Sequence, residues 1–331
     1  MTEYTASQEF LEEEFPPPFD QDDGGDGDDD NHYAHGRIGR HNVVIAVLPR
    51  GIYGTSSAAT VATNLARSYP NVKAGVMVGI GGGAPSNTND IRLGDVVVNE
   101  PGVFQYDFGK RSQAHPYEYK RMPNSPPAAL LTGLAGLQSR HQRMGHNLEK
   151  HISDALGKNP RLINTHGRPK ESSDILFKPD IIHSESCRGT CNQATADPEN
   201  LVERVPRSEI GEDSLGETLQ IHYGLIATGN SVGRDANFRD KLAAEHGVLC
   251  FEMEAGGLVN SFPCLVIRGI CDYSDSHKNK QWQGYAAMAA AAYARDLLLE
   301  VNPRNLQSGT RLSEVLKESQ SLTERSQSHC V

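Results

Sequence analysis

The sequence predicts an α/β chain built around a largely parallel sheet, and three observations carry that expectation. Apolar β-like runs alternate with helical stretches, as in RIGRHNVVIAVL, then SSAATVATNLARSY, then KAGVMVGI. That strand–helix–strand order is what a parallel sheet requires. Glycines gather where apolar runs stop, at Gly79, Gly81, Gly82 and Gly83 and again at Gly229. Two further apolar runs close on carboxylates: Glu252 and Glu254 follow VLCF, and Asp272 follows CLVIRGIC. Acids at the ends of buried strands stand where a cleft at a sheet edge would use them. Taken one at a time, they read equally well as strand-end and capping residues.

In chain order, YTASQEFLEEE (4–14) has helical character. Residues 16–31, PPPFDQDDGGDGDDDN, combine proline, glycine and like charge, which bury no apolar area and predict a solvated linker. A calcium loop does not fit there, because no Glu closes a twelve-residue frame. Residues 37–48 predict a strand. The Gly/Ser/Thr-opened stretch after it predicts a helix to about Tyr69. KAGVMVGIGGGAP and LGDVVVNEPGVF predict two more strands. GIGGGAP does not continue as the G-x-G-x-x-G of a dinucleotide site. Gly79, Ile80 and Gly81 are instead candidates for backbone contact with a sugar or an anion.

Residues 112–215 change texture, becoming polar and bearing scattered prolines and histidines, with one or two helices near 129–137 and 148–156. His183, Cys187 and Cys191 lack an obvious fourth ligand, so no metal site is assigned and a loop-rich surface insertion is expected. The core resumes with the strand IHYGLIATGNSV and the helix DANFRDKLAAEHG, which Gly247 stops. The acid-tipped runs follow, then the Ala-rich helix GYAAMAAAAYARDLLLEV. A disordered polar tail is expected from 303 to 331.

The net charge of −10 is local in origin. Residues 1–30 hold twelve acids and no Lys or Arg; of 42 acids in all, 30 remain against 32 bases. A nucleic-acid-binding surface is therefore not expected. Nor is a membrane segment, since no run approaches roughly 18 apolar residues. The N-terminus has no basic, apolar leader, and Cys250, Cys264 and Cys271 sit inside apolar runs as small hydrophobes; a reducing, cytoplasmic setting is the expectation.

GIGGGAP, GLIATGNSV, FEMEA and RGICDYSD occur in an order and spacing that resemble the purine nucleoside phosphorylase/uridine phosphorylase superfamily. Within it the chain looks most like the methylthioadenosine/S-adenosylhomocysteine nucleosidase branch, and in particular like fungal domains that often head larger proteins related to innate-immune receptors. The resemblance covers roughly 37–108 and 218–301, with weak coverage of 1–14. It implies a curved mixed central β-sheet flanked by helices, interrupted by the 112–215 insertion, a domain of residues 37–302 behind an acidic 1–36 segment, and a homo-oligomer. It implies cleavage of the N-glycosidic bond of an adenosine-like purine nucleoside or nucleotide. Asp272 would protonate the departing base, Met253 and Glu254 would hold ribose hydroxyls, and Asn230, Ser231 and Val232 would contact the base.

The carboxylate that positions the attacking water falls on Glu3, within TEY, without the strand that precedes it in the family. Phosphorylases of the superfamily carry an Arg two positions before the glycine turn and a Ser or Thr just inside it; here those positions hold Met77 and Ile80. Arg40 is then the one candidate phosphate ligand, and water is the favoured nucleophile. No cofactor is implied, with phosphate a co-substrate only in a phosphorylase.

Overall fold

A computed structural model of the chain describes residues 1–17, 29–110, 118–121, 125–183, 196–207, 218–231, 233–259, 262–307 and 309–315. Two sheets organise it. The smaller is a three-stranded antiparallel sheet of β1 (Glu13–Phe15), β2 (His32–Ile38) and β3 (His41–Val47), in the order β1-β2-β3. The larger contains β4 (Gly75–Gly83), β5 (Val96–Lys110), β6 (Glu118–Arg121), β7 (Ile221–Thr228), β8 (Val248–Glu252) and β9 (Cys264–Asp272). Its order is β6-β5-β7-β8-β4-β9. Pairs β4–β9, β5–β7 and β7–β8 are parallel, whereas β4–β8 and β5–β6 are antiparallel. An antiparallel contact of Val96–Val98 with Ile267–Gly269 joins β5 back to β9, so the sheet curls closed. Mixed pairing and closure replace the simple parallel sheet that local spacing predicts.

Helices cover this barrel-like sheet: α1 (Thr2–Gln8), α2 (Thr55–Ser68), α3 (Ala128–Met144), α4 (Leu148–Lys158), α5 (Ile163–His166), α6 (Ala236–His246), α7 (Ala255–Leu258), α8 (Gln283–Glu300) and α9 (Pro303–Gln307). β9 is buried at every residue but its last. α8 lies directly on it, and the small residues explain the closeness: a Cβ on Gly269 would overlap the Ala286 carbonyl. α8 is buried from Gly284 through Ala294, and Ala at so many positions keeps helical propensity high while allowing that approach. α6 ends where Gly247 adopts φ 72°, a left-handed cap that glycine takes without a Cβ clash.

Four expectations need correction. Residues 37–48 are not one strand but the turn and second arm of a hairpin. Gly39 at φ 57° makes the turn, and β2 pairs with β3 from His32↔Val47 to Ile38↔His41. The helix expected over 4–14 ends at Gln8, and β1 follows it. The 112–215 region is no mere appendage. Leu130, Leu134, Leu137, Leu148, Ile152 and Leu156 of α3 and α4 belong to the main hydrophobic core against α8, because an amphipathic pair of helices buries its apolar stripe where a helix already lies. Residues 303–307 and 309–315 are also structured: α9 forms, Leu312 is buried, and its N–H donates to the Val72 carbonyl at 2.9 Å. Cys187, Cys191 and Val232, and most of the acidic run, lie outside the described residues.

One edge of β4 decides where the N-terminus goes. β4 pairs with β9 along Gly75–Gly82 but with β8 only at Gly82 and Gly83. Among the described residues no strand lies beside Gly75–Gly81 on that second edge. α1 packs against β3, β4 and α8 instead.

Candidate active site

The site forms where β8, β4 and β9 end side by side. Gly82 of β4 pairs with Phe251 of β8 on one side and with Asp272 of β9 on the other. Two strand spacings, about 9.6 Å, thus separate the strands that carry Glu252–Glu254 and Asp272.

Glu252 is fully buried, and its carboxylate serves two groups. It pairs with Arg268 Nη2, and it accepts from the N–H groups of Glu254 (3.0 Å) and Ala255 (3.0 and 3.2 Å), capping the short α7. Arg268 Nη2 also stands 3.4 Å from Glu254 Oε2 and donates to Met77 Sδ at 3.4 Å. The guanidinium fits because β4 has no side chain beneath it: a Cβ on Gly79 would overlap Arg268 Nη1. A Cβ on Gly81 would meet Cys250 Sγ at 2.5 Å. These glycines lie inside a paired strand, not in a ligand-cradling turn, and their conspicuous role is to admit Arg268 and β8. Ile80 faces away and packs on the main core. Arg268 was not singled out from the sequence. The signal was there, because a charge inside the buried run CLVIRGI demands a buried partner of opposite sign.

Glu254 is 18% exposed, and burial pushes its pKa up. Arg268 opposes that rise, while the negative charges of Glu252 and Glu3 add to it. Glu3, on α1, lies near enough for its charge to act on Glu254, and its side chain is 37% exposed. Met253, half-buried, stands between the two glutamates, and its N–H is 3.4 Å from Glu254 Oε2.

Asp272 is 12% exposed. Its Oδ1 accepts from the Ser274 N–H at 2.8 Å and lies 3.2 Å from Lys278 Nζ; Oδ2 lies 3.5 Å from Cys271 Sγ. Ser274 is held at φ 52°, a left-handed conformation rare for a residue with a side chain, and it is buried. Gly82 lets this turn close, since a Cβ there would overlap Ser274 Oγ and approach Asp272 Oδ1 to 2.7 Å.

Ser274 also lines a cavity of about 210 Å³, together with the aromatic Tyr106, Phe238 and Phe251, Ser231, and the charged Arg234, Asp235 and Arg239. Aromatic walls with a carboxylate one hydrogen bond away suit a flat, partly polar group. Ser231 is tied to Tyr106, whose hydroxyl donates to the Ser231 carbonyl at 2.6 Å. Asn230 is held by Asp107 (2.7 Å from its N–H) and accepts from Thr55 Oγ1 at 3.0 Å. The loop after β7 is therefore fixed by β5 and by the start of α2. Neither Asp107 nor Thr55 has a local motif that announces this.

Arg40 does not join the cluster within one chain. It is exposed in the β2–β3 turn, next to Gly39, whose Cβ position meets Leu299 near the C-terminal end of α8. β9 approaches the opposite end of that helix, at Ala286, and an 18-residue helix is about 27 Å long.

Comparison with known proteins agrees with this geometry. No family model matches the chain. A nucleotide-binding leucine-rich repeat (NLR)-like protein of Hyaloscypha variabilis is 40% identical over 311 residues, spanning 92% of this chain and 29% of that protein. An ATP nucleosidase, Cap17, of Escherichia coli (strain KTE188) is 30% identical over 103 residues, 29% of this chain and 20% of the nucleosidase. The chain thus spans less than a third of either relative. Among solved structures, the 5'-methylthioadenosine/S-adenosylhomocysteine nucleosidase of Neisseria meningitidis superposes with a TM-score of 0.52 at 13% identity, covering 90% of this chain and 94% of that one. The enzyme of that name from S. pneumoniae gives 0.50 at 17% identity, covering 91% and 96%. These likenesses establish the fold: the chain has the nucleoside phosphorylase-like architecture, a mixed curled sheet with flanking helices.

Proposed function

We propose that the chain cleaves the N-glycosidic bond of a purine nucleoside or nucleotide, with water as the acceptor. The observation that supports this reading is the pairing of Gly82 with both Phe251 and Asp272, which brings the strand leading to Glu254 and the strand ending in Asp272 to either side of one glycine. The base would occupy the cavity beside Ser274 and Ser231. Asp272 would donate a proton to the purine N7, so that the base departs neutral. Glu254, with Met253 beside it, would accept hydrogen bonds from the ribose hydroxyls and stabilise the oxocarbenium-like sugar cation. Glu3 would orient the attacking water next to Gly79–Gly81. The E. coli relative named as an ATP nucleosidase supports including nucleotides in the substrate class.

Met77 and Ile80 stand where a phosphorylase would hold its anion, which favours water over phosphate; Arg40 would enter only from another copy of a homo-oligomer. A second reading, a nucleoside-binding domain without turnover, is favoured by one observation: the Glu3 side chain, on the short helix α1, is 37% exposed and so weakly fixed for orienting a water.

Incubation of the protein with adenosine, inosine, methylthioadenosine and ATP, with and without phosphate, followed by chromatography, tests all three. Free base in the absence of phosphate is expected, and Asp272→Asn should lower its release by about 10²–10⁴-fold. Release that requires phosphate points to the phosphorylase. A ligand-induced rise in melting temperature without base release over hours points to the binding domain.

A further inference from the structure

The residue after the candidate acid is gripped by the insertion. Tyr273 is buried, and its hydroxyl donates to Asp174 Oδ1. Arg204 Nη1 donates to the same hydroxyl oxygen at 2.9 Å, its Nη2 pairs with Asp174 Oδ1 at 3.1 Å, and its guanidinium lies 5.3 Å from the centroid of the Tyr273 ring. Both side chains are largely buried, at 14% exposure for Arg204 and 9% for Asp174. They come from two separate stretches of the 112–215 region, and those stretches hold each other. The Val202 N–H donates to the Leu176 carbonyl and the Lys178 N–H to the Asn200 carbonyl, each at 2.9 Å, with a bridge between Phe177 and Leu201.

The same stretch covers the rest of the turn beyond Asp272. Phe177 stacks on His277 with centroids 3.7 Å apart and planes 9° apart, and Ser173 Oγ accepts from Trp282 Nε1 at 3.0 Å. A cavity of about 20 Å³, room for about one water, remains between Ser173, Phe177 and Asp272. From the other side, Arg239 Nη1 donates to the Tyr273 carbonyl at 2.8 Å. Tyr273 is thus fixed at its ring, its hydroxyl and its carbonyl, one residue from a carboxylate that must meet a base and one before a residue held at a left-handed φ. A turn of that conformation relaxes unless its surroundings over-determine it.

We propose that Asp174 and Arg204 are positioning residues for Asp272: through Tyr273 they hold the end of β9 so that the carboxyl stays one hydrogen bond from Ser274, which lines the larger cavity. The proposal rests on the functional reading above, in which Asp272 serves the leaving base. It gives the insertion a part in the chemistry without contact with substrate.

The test compares Arg204→Met and Asp174→Asn with Asp272→Asn, using two substrates and one ligand. On the purine substrate, kcat should fall about tenfold to a hundredfold with KM little changed, the size of effect expected when a reacting group is misplaced by about 1 Å. On a riboside with a nitrophenolate leaving group, which departs without protonation, the rate should hold. Adding Arg204→Met to Asp272→Asn should cause no further loss on the purine substrate. Unchanged kcat on the purine substrate, equal losses on both leaving groups, or full additivity with Asp272→Asn would each overturn the proposal. If Arg204→Met does not fold, Tyr273→Phe, which removes only the shared hydroxyl, takes its place. A wild-type protein inert on both substrates overturns the hydrolase reading. Calorimetric titration with adenine then decides this proposal: Asp272→Asn and Arg204→Met should weaken binding alike, and unaltered binding in Arg204→Met overturns it.

Discussion

Arg268 Nη2 contacts Glu252 and reaches Glu254 Oε2 at 3.4 Å, so a single buried guanidinium serves two carboxylates that stand two residues apart where β8 ends. One of them, Glu252, is spent on structure, since it also caps α7. The other is left partly open to the solvent and free to accept a ligand's hydrogen bonds. This division of labour explains why two acids stand two residues apart and why the second is the candidate for ribose.

Removing the guanidinium should unfold rather than retune the protein. Arg268→Met leaves Glu252 buried without its charge partner, and a loss of about 3–5 kcal/mol is expected from urea unfolding. Adding Glu252→Gln should recover part of that loss, because the uncompensated charge is then gone. Equal stability of Arg268→Met and wild type would mean that the buried pair contributes nothing.

Glu254→Gln keeps size and removes charge. It should lower kcat/KM for base release by an amount worth about 1.5–3 kcal/mol, the strength of hydrogen bonds to a charged acceptor. The melting temperature should change little, since the backbone cap belongs to Glu252. A kinetic effect smaller than threefold (about 0.7 kcal/mol) would move the ribose contact elsewhere.

The acid side of the pH–rate profile should lie above the ordinary glutamate range. Burial, Glu252 and Glu3 raise the Glu254 pKa; a raised carboxyl pKa keeps the proton on to higher pH, so the ionised, ribose-accepting form is lost earlier as pH falls. Activity should therefore rise with pH through this raised value. Glu252→Gln removes one of the like charges and should move the limb to lower pH. A limb that stays in place would assign it to another group.

Gly79→Ala should harm the site more than the fold around it. The new Cβ occupies the space of Arg268 Nη1 and pushes the guanidinium from its two carboxylates. Lower kcat/KM together with reduced stability is expected, with Gly102→Ala, where nothing lies within 4 Å of the new Cβ, as the neutral control. Crystallographic retention of the Arg268–Glu252 pair in the Ala variant would contradict this.

Away from the site, His141 should make the protein sensitive to acid. Burial, helped by His146, Arg140 and His151, lowers its pKa to about 4. The folded state keeps this ring neutral while the unfolded chain takes up a proton near the ordinary histidine value. The stability it lends is complete above that ordinary value and falls away as pH drops toward about 4. Melting temperature against pH should show a shallower acid decline in His141→Leu than in wild type. An identical slope would show that Asp296, 3.9 Å away, or another group carries the decline.

Read along the chain, the strands ending in Glu252 and Asp272, the helix stopped by Gly247 and the Ala-rich α8 were all legible. Each is written in local chemistry: a run of buried side chains, a residue that tolerates positive φ, a series of good helix formers. Resemblance at FEMEA and RGICDYSD pointed to Glu254 and Asp272 as candidates. Local patterns could not say that residues 37–48 double back on β2, since one apolar run of that length reads the same in a hairpin or a βαβ unit. Nor could they say that Gly79 and Gly81 serve a neighbour's side chain. Asp174 and Arg204 lie 30 residues apart in a polar stretch with no periodicity, and they meet only because two stretches of the insertion pair across Tyr273. Burial and backbone preference act over a few residues and are inscribed in them. Partnership between charges is decided by which strands close the sheet, and that is settled only when distant segments pack.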